Sequence, residues 1–178
     1  RAGTTFFNKK GFKGTSLDEL AQSLGVTKGA FYYHIKNKDD LLSKCFDRTL
    51  IIEEAVLKQS IKLDTSGLEK LAISAQRLFD IQLGTQGPLI RYATMWSLSP
   101  EKRNQLEVST RKIRDQFGGI IQQGIDDKSI INTNLLVAEN IIAGAIDTIP
   151  NMDIAIDGKI TNDDAADFYH IFFNGIAS

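Results

Sequence analysis

Between Gly11 and Leu42 the chain runs GFKGTSLDELAQSLGVTKGAFYYHIKNKDDLL, and no other stretch leaves so few structural alternatives. Ser16 is placed to cap a helix, with Glu19 three residues on to reach back to the capping amide. Leu17, Leu20, Ala21 and Leu24 recur at helical spacing and form one apolar face. Gly25 follows where a left-handed backbone costs glycine nothing, and Val26 is expected to pack back into the corner. Thr27 is a second cap, and Lys28–Ile35 reads as a second helix with Phe31 and Ile35 facing inward. Two helices crossing steeply need a small residue at the contact, a glycine in the turn and an apolar anchor beyond it. Ala21, Gly25 and Phe31 supply all three, which is the helix-turn-helix pattern. A plain helical hairpin without a nucleic-acid role satisfies the same pattern, so both readings stand at this level.

If the second helix enters a DNA groove, its first turn carries the chemistry. Lys28, Gly29 and Ala30 form that turn, and a lysine there can donate to base edges such as guanine O6 or N7. Gly29 removes a side chain that would hold the backbone away from the groove. Tyr32 and Tyr33 cannot both be core beside Phe31 and Ile35. Tyr32 is readable either as packing or as a DNA contact. Lys9, Lys10 and Lys13 are readable as DNA contacts or as plain solvated charges.

The segments Thr15-Ser16-Leu17, Ala21, Gly25-Val26-Thr27-Lys28-Gly29, Tyr32-Tyr33-His34 and Asn37-Lys38-Asp39-Asp40-Leu41-Leu42 resemble the N-terminal domain of TetR-type (tetracycline-repressor-like) transcriptional regulators. The likeness covers roughly residues 3 to 45 without a gap. Two positions depart from it: Ile35 stands where the family usually has Phe, and Ala30 where relatives often carry Thr or Ser. The resemblance implies that Thr15, Thr27 and Lys38 hold the phosphate backbone, with Ser16 beside them, and that Tyr33 and His34 lie near phosphates or bases. It also implies a dimeric, cytoplasmic, one-component regulator, most often a repressor. Such a protein reads a palindromic operator in double-stranded DNA and releases it when a small molecule binds. Phe6, Phe7 and Gly11 match only the end of the family's first helix, so its beginning is expected to be missing from a chain that opens Arg1-Ala2-Gly3.

Charge distribution agrees with a nucleic-acid-facing head. Residues 1–48 hold nine Lys and Arg against five acids, a balance of +4, whereas the remainder holds 12 against 17, a balance of −5. The apolar runs fall short of the roughly 20 residues a membrane span needs, and no apolar leader opens the chain. Cys45, the single cysteine, reads either as a small core residue or as a redox sensor.

Taken in order, the chain is expected to be all-α, with a helix-turn-helix domain over residues 1–47 and a helical ligand-binding and dimerisation domain over 48–178, about nine helices altogether. Gly11 should end the first helix. A fourth helix is expected from Asn37, with Asp40 repeating the capping-box logic, to about Ile61, near 37 Å long and able to connect the domains. A fifth should open at Ser66, with Glu69 as partner, and reach Leu83. Pro88 suits the first position of a short sixth helix ending near Leu98, and Ser99-Pro100-Glu101 opens a long seventh that Gly124 should end. Within it, the pair Gly118-Gly119 calls for close helix packing or for a ligand against the backbone. The eighth spans about 134–148 and the last about 163–176 after a Thr161 cap, with Pro150–Ile160 as a loop.

Two readings concern the body. Its last two helices are apolar on more than one face, which a surface helix does not require. Leu135, Ala138, Ile142, Ala145, Phe168, Ile171, Phe172 and Gly175 are therefore expected to form a dimer interface. Phe79, Leu83, Tyr92, Met95, Trp96, Phe117 and Ile121 either line a largely apolar effector pocket or are plain core. Arg91 is the polar candidate for an anionic ligand group or, equally, a solvated charge. His34 and His170 are far apart with no second ligand at metal spacing, and no catalytic or nucleotide-binding motif is present. No cofactor, metal or enzymatic activity is expected. The alternative to a regulator is a helical ligand- or partner-binding protein without sequence-specific DNA binding.

Overall fold

A computed structural model describes residues 1–149 and 162–174. Among them are eight α-helices: α1 (Ala2–Gly14), α2 (Leu17–Ser23), α3 (Lys28–His34), α4 (Lys38–Ile61), α5 (Gly67–Leu83), α6 (Pro100–Asp126), α7 (Leu135–Asp147) and α8 (Asn162–Asn174). A 3-10 helix at Tyr92–Ser97 separates α5 from α6. No described helix is long and apolar enough to cross a membrane.

Local chemistry sets the helix starts. Ser16, Thr27, Asn37, Ser66, Ser99 and Asn134 each accept a hydrogen bond from the backbone N–H three residues on. The reciprocal half of the expected capping boxes goes elsewhere. Glu19 pairs with Lys10, Asp40 accepts from the Lys36 N–H, and Glu69 accepts from the Thr65 hydroxyl. Gly11, at φ 68°, breaks α1, and one further turn reaches Gly14. Gly25, at φ 67°, makes the turn between α2 and α3.

One core joins head and body. Phe7, Leu20, Phe31, Leu42 and Phe46 pack together, and the same cluster takes in Ile90, Leu98 and Leu106 from the far side of α4. Cys45 is buried in it, as a core residue. Helix α4 thus runs unbroken past residue 47, packing on α1 at one end and on α5 and α6 along its length. Two further clusters fill the body, one where α6 meets α5 and α7, the other around Phe79 and Leu78.

Several expectations need correction. Leu24 and Val26 are not packed: 51% and 43% of their surfaces are exposed, because α2 ends at Ser23 before its stripe can turn inward. The sixth helix does not start at Pro88. Its backbone groups are captured by side chains from α1, α4 and the end of α5. The Leu89, Ile90 and Arg91 N–H groups donate to Gln82, Thr49 and Asn8, and the Leu89 carbonyl accepts from Asn8. Only the 3-10 turn at Tyr92–Ser97 remains helical. Gly124 does not end α6 but makes room for the Ile130 side chain, and it is Gly67 that lets the N-terminus of α5 approach, since a Cβ there would run into the Gly124 backbone. Gly118 makes room for the Glu139 side chain of α7, whereas Gly119 faces open space.

The dimer stripe is also redistributed. Ala138 and Ile142 are buried in their own chain, in the cluster of Phe117, Ile120, Ile121 and Phe173, because this stripe of α7 packs on α6. Leu135 and Ala145 are half-buried. Phe168 packs on Phe79 with ring centroids 5.2 Å apart. The exposed apolar surface is the other face of α7, Leu136, Val137 and Ile141, together with Ile171 of α8. The Phe172 side chain, the Pro150–Ile160 connection, the Thr161 cap and Gly175 lie outside the described residues.

Candidate functional site

Helix α3 stands on the surface of the head, anchored by Phe31 alone among its buried residues. Lys28, Gly29, Ala30, Tyr32, Tyr33 and His34 are all exposed, Tyr33 by 85%. A large aromatic in water costs burial free energy, so such exposure marks a contact surface more than a packing surface. Thr27 caps the helix by accepting from the Ala30 N–H at 3.2 Å. A Cβ at Gly29 would meet nothing within 4 Å, so the fold itself does not require glycine there.

Lys28 is not free. Its ammonium pairs with Asp18 of α2 at 2.6 Å, and the Tyr32 hydroxyl donates to the same carboxylate at 3.1 Å. The hydrogen bond from Lys28 holds Asp18 below the usual carboxylate range and raises Lys28 in turn. Tyr32 also sits edge-on to Phe31, so it belongs both to the packing of α3 and to its polar surface.

The remaining residues assigned to the phosphate backbone have internal partners. Thr15 is buried, its hydroxyl donating to the Gly11 carbonyl at 2.7 Å and closing the break in α1. Ser16 caps α2. Lys38 donates to the carbonyls of Phe12 and Lys13 at 3.2 and 3.4 Å and lies over the Phe12 ring. These three fix how α1, α2 and α4 meet beneath α3. Of the lysines of α1, Lys10 pairs with Glu19, while Lys9 and Lys13 are exposed.

The second candidate is a cavity of about 370 Å³ in the body, walled by α4, α5, α6, α7 and the segment leading into the 3-10 helix. Its volume suits a small molecule. Of the residues read as pocket or core, Tyr92 and Phe117 line it, and Phe79, Leu83, Arg91, Met95, Trp96 and Ile121 do not. Phe79 and Ile121 are fully buried core, and Leu83 packs beside Phe79. Met95 packs on the head cluster. Trp96 is 79% exposed, with the Arg103 guanidinium over its ring, because the 3-10 helix turns it outward. Arg91 is half-buried behind the wall, its backbone N–H held by Asn8.

Sequence reasoning missed the polar groups of this cavity, chiefly Glu53, Glu139 and Asp147. The Tyr92 hydroxyl donates to Glu53 at 2.5 Å, and its N–H to Asp147 at 3.4 Å, so the 3-10 helix ties α4 to α7. Burial pushes Glu53 up to about 7, against the opposing hydrogen bond from Tyr92. Burial raises Asp147 too, and it raises Tyr92, which stays a protonated donor. The signals were present in the sequence. Glu53 interrupts the buried stripe from Leu50 to Leu57, and Asp147 is an acid in the last turn of an apolar helix, where the helix dipole disfavours it.

Residues 1–45 match the family model of bacterial regulatory proteins, tetR family. The Transposon Tn10 TetC protein of Escherichia coli is 30% identical over 154 residues, covering 86% of this chain and 74% of that protein. Among solved structures, the ketosteroid transcriptional regulator KstR2 of Mycobacterium tuberculosis superposes with a TM-score of 0.80 at 16% identity, covering 99% of this chain and 92% of the other. AibR, solved in complex with isovaleryl coenzyme A and operator DNA, gives 0.77 at 20% identity, covering 98% and 95%. An exposed helix-turn-helix, a helical body and a relative of this closeness together place the chain in the tetR family of bacterial regulatory proteins, as a DNA-binding transcriptional regulator.

Proposed function

We propose that this chain is a dimeric, cytoplasmic repressor that releases a palindromic operator when a small molecule enters the body cavity. Residues 1–47 serve as the DNA-reading head and 48–178 as the ligand-binding and dimerising body, without enzymatic activity. The observation that carries this reading is the placement of the cavity: its walls include α4 and α6, the two helices that also pack on the head core. Near the head, Asp39 of α4 accepts from both the N–H and the hydroxyl of Ser99, at 2.8 and 2.7 Å, at the start of α6. A ligand that favours one spacing of α4 and α6 therefore biases the position of the head. AibR, of the same fold, is solved in complex with isovaleryl coenzyme A and operator DNA, which supports one chain of this fold serving both a small molecule and DNA.

Lys28, released from Asp18, reads base edges, with Gly29 and Ala30 allowing close approach. Thr27, Tyr33 and His34 contact the backbone or flanking bases. The exposed face of Leu136, Val137, Ile141 and Ile171 meets its two-fold copy, setting two heads about 34–36 Å apart. Selection of bound duplexes from a random pool should recover an inverted repeat. Lys28→Ala should then flatten the discrimination among single-base variants of that repeat by about 1–3 kcal/mol. Recovery of no inverted repeat would overturn the repressor reading.

A further inference from the structure

Of the four Asp, Glu, Lys and Arg side chains that line the body cavity three are acids, Glu53, Glu139 and Asp147, and they come from α4 and from the second and last turns of α7. The one lining cation, Arg114, is an exposed residue of α6, while Arg91 behind the wall already acts on Asp147, which leaves Glu139 as the acid without a basic side chain set against it in the wall. Between the acids the wall is apolar, with Leu57, Leu78, Phe117 and Ile146. An anionic ligand would have to desolvate its charge beside these carboxyls, whereas a cation gains charge-assisted hydrogen bonds from the same groups.

Resting on the reading of this cavity as the effector site, we propose that its effector is a lipophilic cation: an apolar body bearing a protonated amine or similar group that the Glu139 carboxyl receives. A coenzyme A ester, the kind of ligand held by AibR, carries the opposite charge.

The glycine pair of α6 adds a second, geometric support. A Cβ at Gly118 would collide with the Glu139 carboxyl, so the absence of a side chain there is what lets this acid sit between α6 and α7. Gly119, one residue on, has no neighbour within 4 Å of its Cβ position and makes no such room. The neutral end of the range is covered as well. Glu53 already accepts from the Tyr92 hydroxyl, and burial favours its neutral form, so it faces the cavity as a polar group held by the protein itself.

The test uses the whole chain and three probes with one tail: decylammonium, decanol and decanoate. Calorimetric titration should rank decylammonium tightest and decanoate weakest. In Glu139→Gln the ratio of decylammonium to decanol affinity should shrink roughly tenfold, as loss of one charge-assisted hydrogen bond predicts. Gly118→Ala, which crowds the Glu139 carboxyl without removing it, should shrink the same ratio by a smaller factor. If the three probes bind alike, or decanoate binds tightest, the charge preference is wrong while the effector cavity survives. Failure of all three to bind would remove the cavity reading and this inference with it.

Discussion

The head and the body place their polar side chains on opposite sides of their helices. In the head, α3 turns Lys28, Tyr32, Tyr33 and His34 outward and keeps only Phe31 inside. In the body, Glu53, Tyr92 and Asp147 turn inward and hold one another across a cavity. Outward groups keep their hydration until a partner displaces it, so they cost the isolated fold little. Inward groups are desolvated before any partner arrives, and their burden falls on stability. A surface of the first kind suits a large, highly charged polymer that approaches from solvent; a chamber of the second kind suits a small molecule that supplies what the walls lack.

The largest expected effect tests whether the two regions are separate at all. Phe46 is fully buried in the cluster that unites them, 6.1 Å from the Tyr92 ring. Phe46→Ala should cost about 3–5 kcal/mol. Loss of helical ellipticity and loss of operator binding should then shift to the same lower urea concentration. Two transitions, with operator binding lost first, would break the shared-core account and make the head an independent unit.

Neighbouring glutamates sharpen the contrast within one turn of α4. Glu53 has a folded pKa of about 7 against 4.5 for an unperturbed glutamate. The folded state therefore binds more protons between those values, and its stability falls as pH rises through 7. One pKa unit is worth about 1.4 kcal/mol, so the loss is of the order of 3 kcal/mol. Glu54 behaves oppositely: hydrogen bonds from Lys112 and Lys58 hold it at about 2. Its contribution is present above 4.5 and disappears as pH falls through 2. Glu53→Gln should raise stability by up to about 3 kcal/mol at pH 8 and change little at pH 4, since the amide oxygen can still accept from Tyr92. Equal effects in urea melts at the two pH values would show that Glu53 is not held neutral by burial.

The two regions were also unequally legible from sequence, for the same reason. Everything that defines the head surface is local: a cap at Thr27, a left-handed Gly25, Phe31 inward and its neighbours outward follow from positions within two helical turns. Even so, locality hid the partners of Lys28 and Lys38, which lie 10 and more than 20 residues away. The cavity depends on side chains from five segments, so periodicity could indicate apolar stripes but not which stripes meet. Trp96 and Met95 were misplaced because a helix was expected from Pro88. That expectation failed when Asn8 and Thr49, remote in sequence, and Gln82 at the end of α5 took the backbone groups such a helix needs. Glu53 and Asp147 were the cavity residues with usable local signs, one an acid on a buried stripe and the other an acid closing an apolar helix.

The smallest effect separates stability from function most cleanly. Thr27 caps α3 and Ser66 caps α5 by equivalent bonds, each accepting an N–H at 3.2 Å. Substituting either by alanine should cost about 1 kcal/mol of folding free energy, because each leaves one helix N–H without its acceptor. The consequences for DNA should differ. α3 has seven residues and one buried anchor, so a loosened first turn displaces Lys28 and Gly29 directly. α5 has 17 residues, and a larger buried face holds its first turn in place. Thr27→Ala should therefore weaken operator binding beyond its effect on stability, whereas Ser66→Ala should alter binding only as far as it alters the folded fraction. Matched melts and operator titrations of the two variants decide it: equal losses of affinity would mean that the first turn of α3 is not where the head meets DNA.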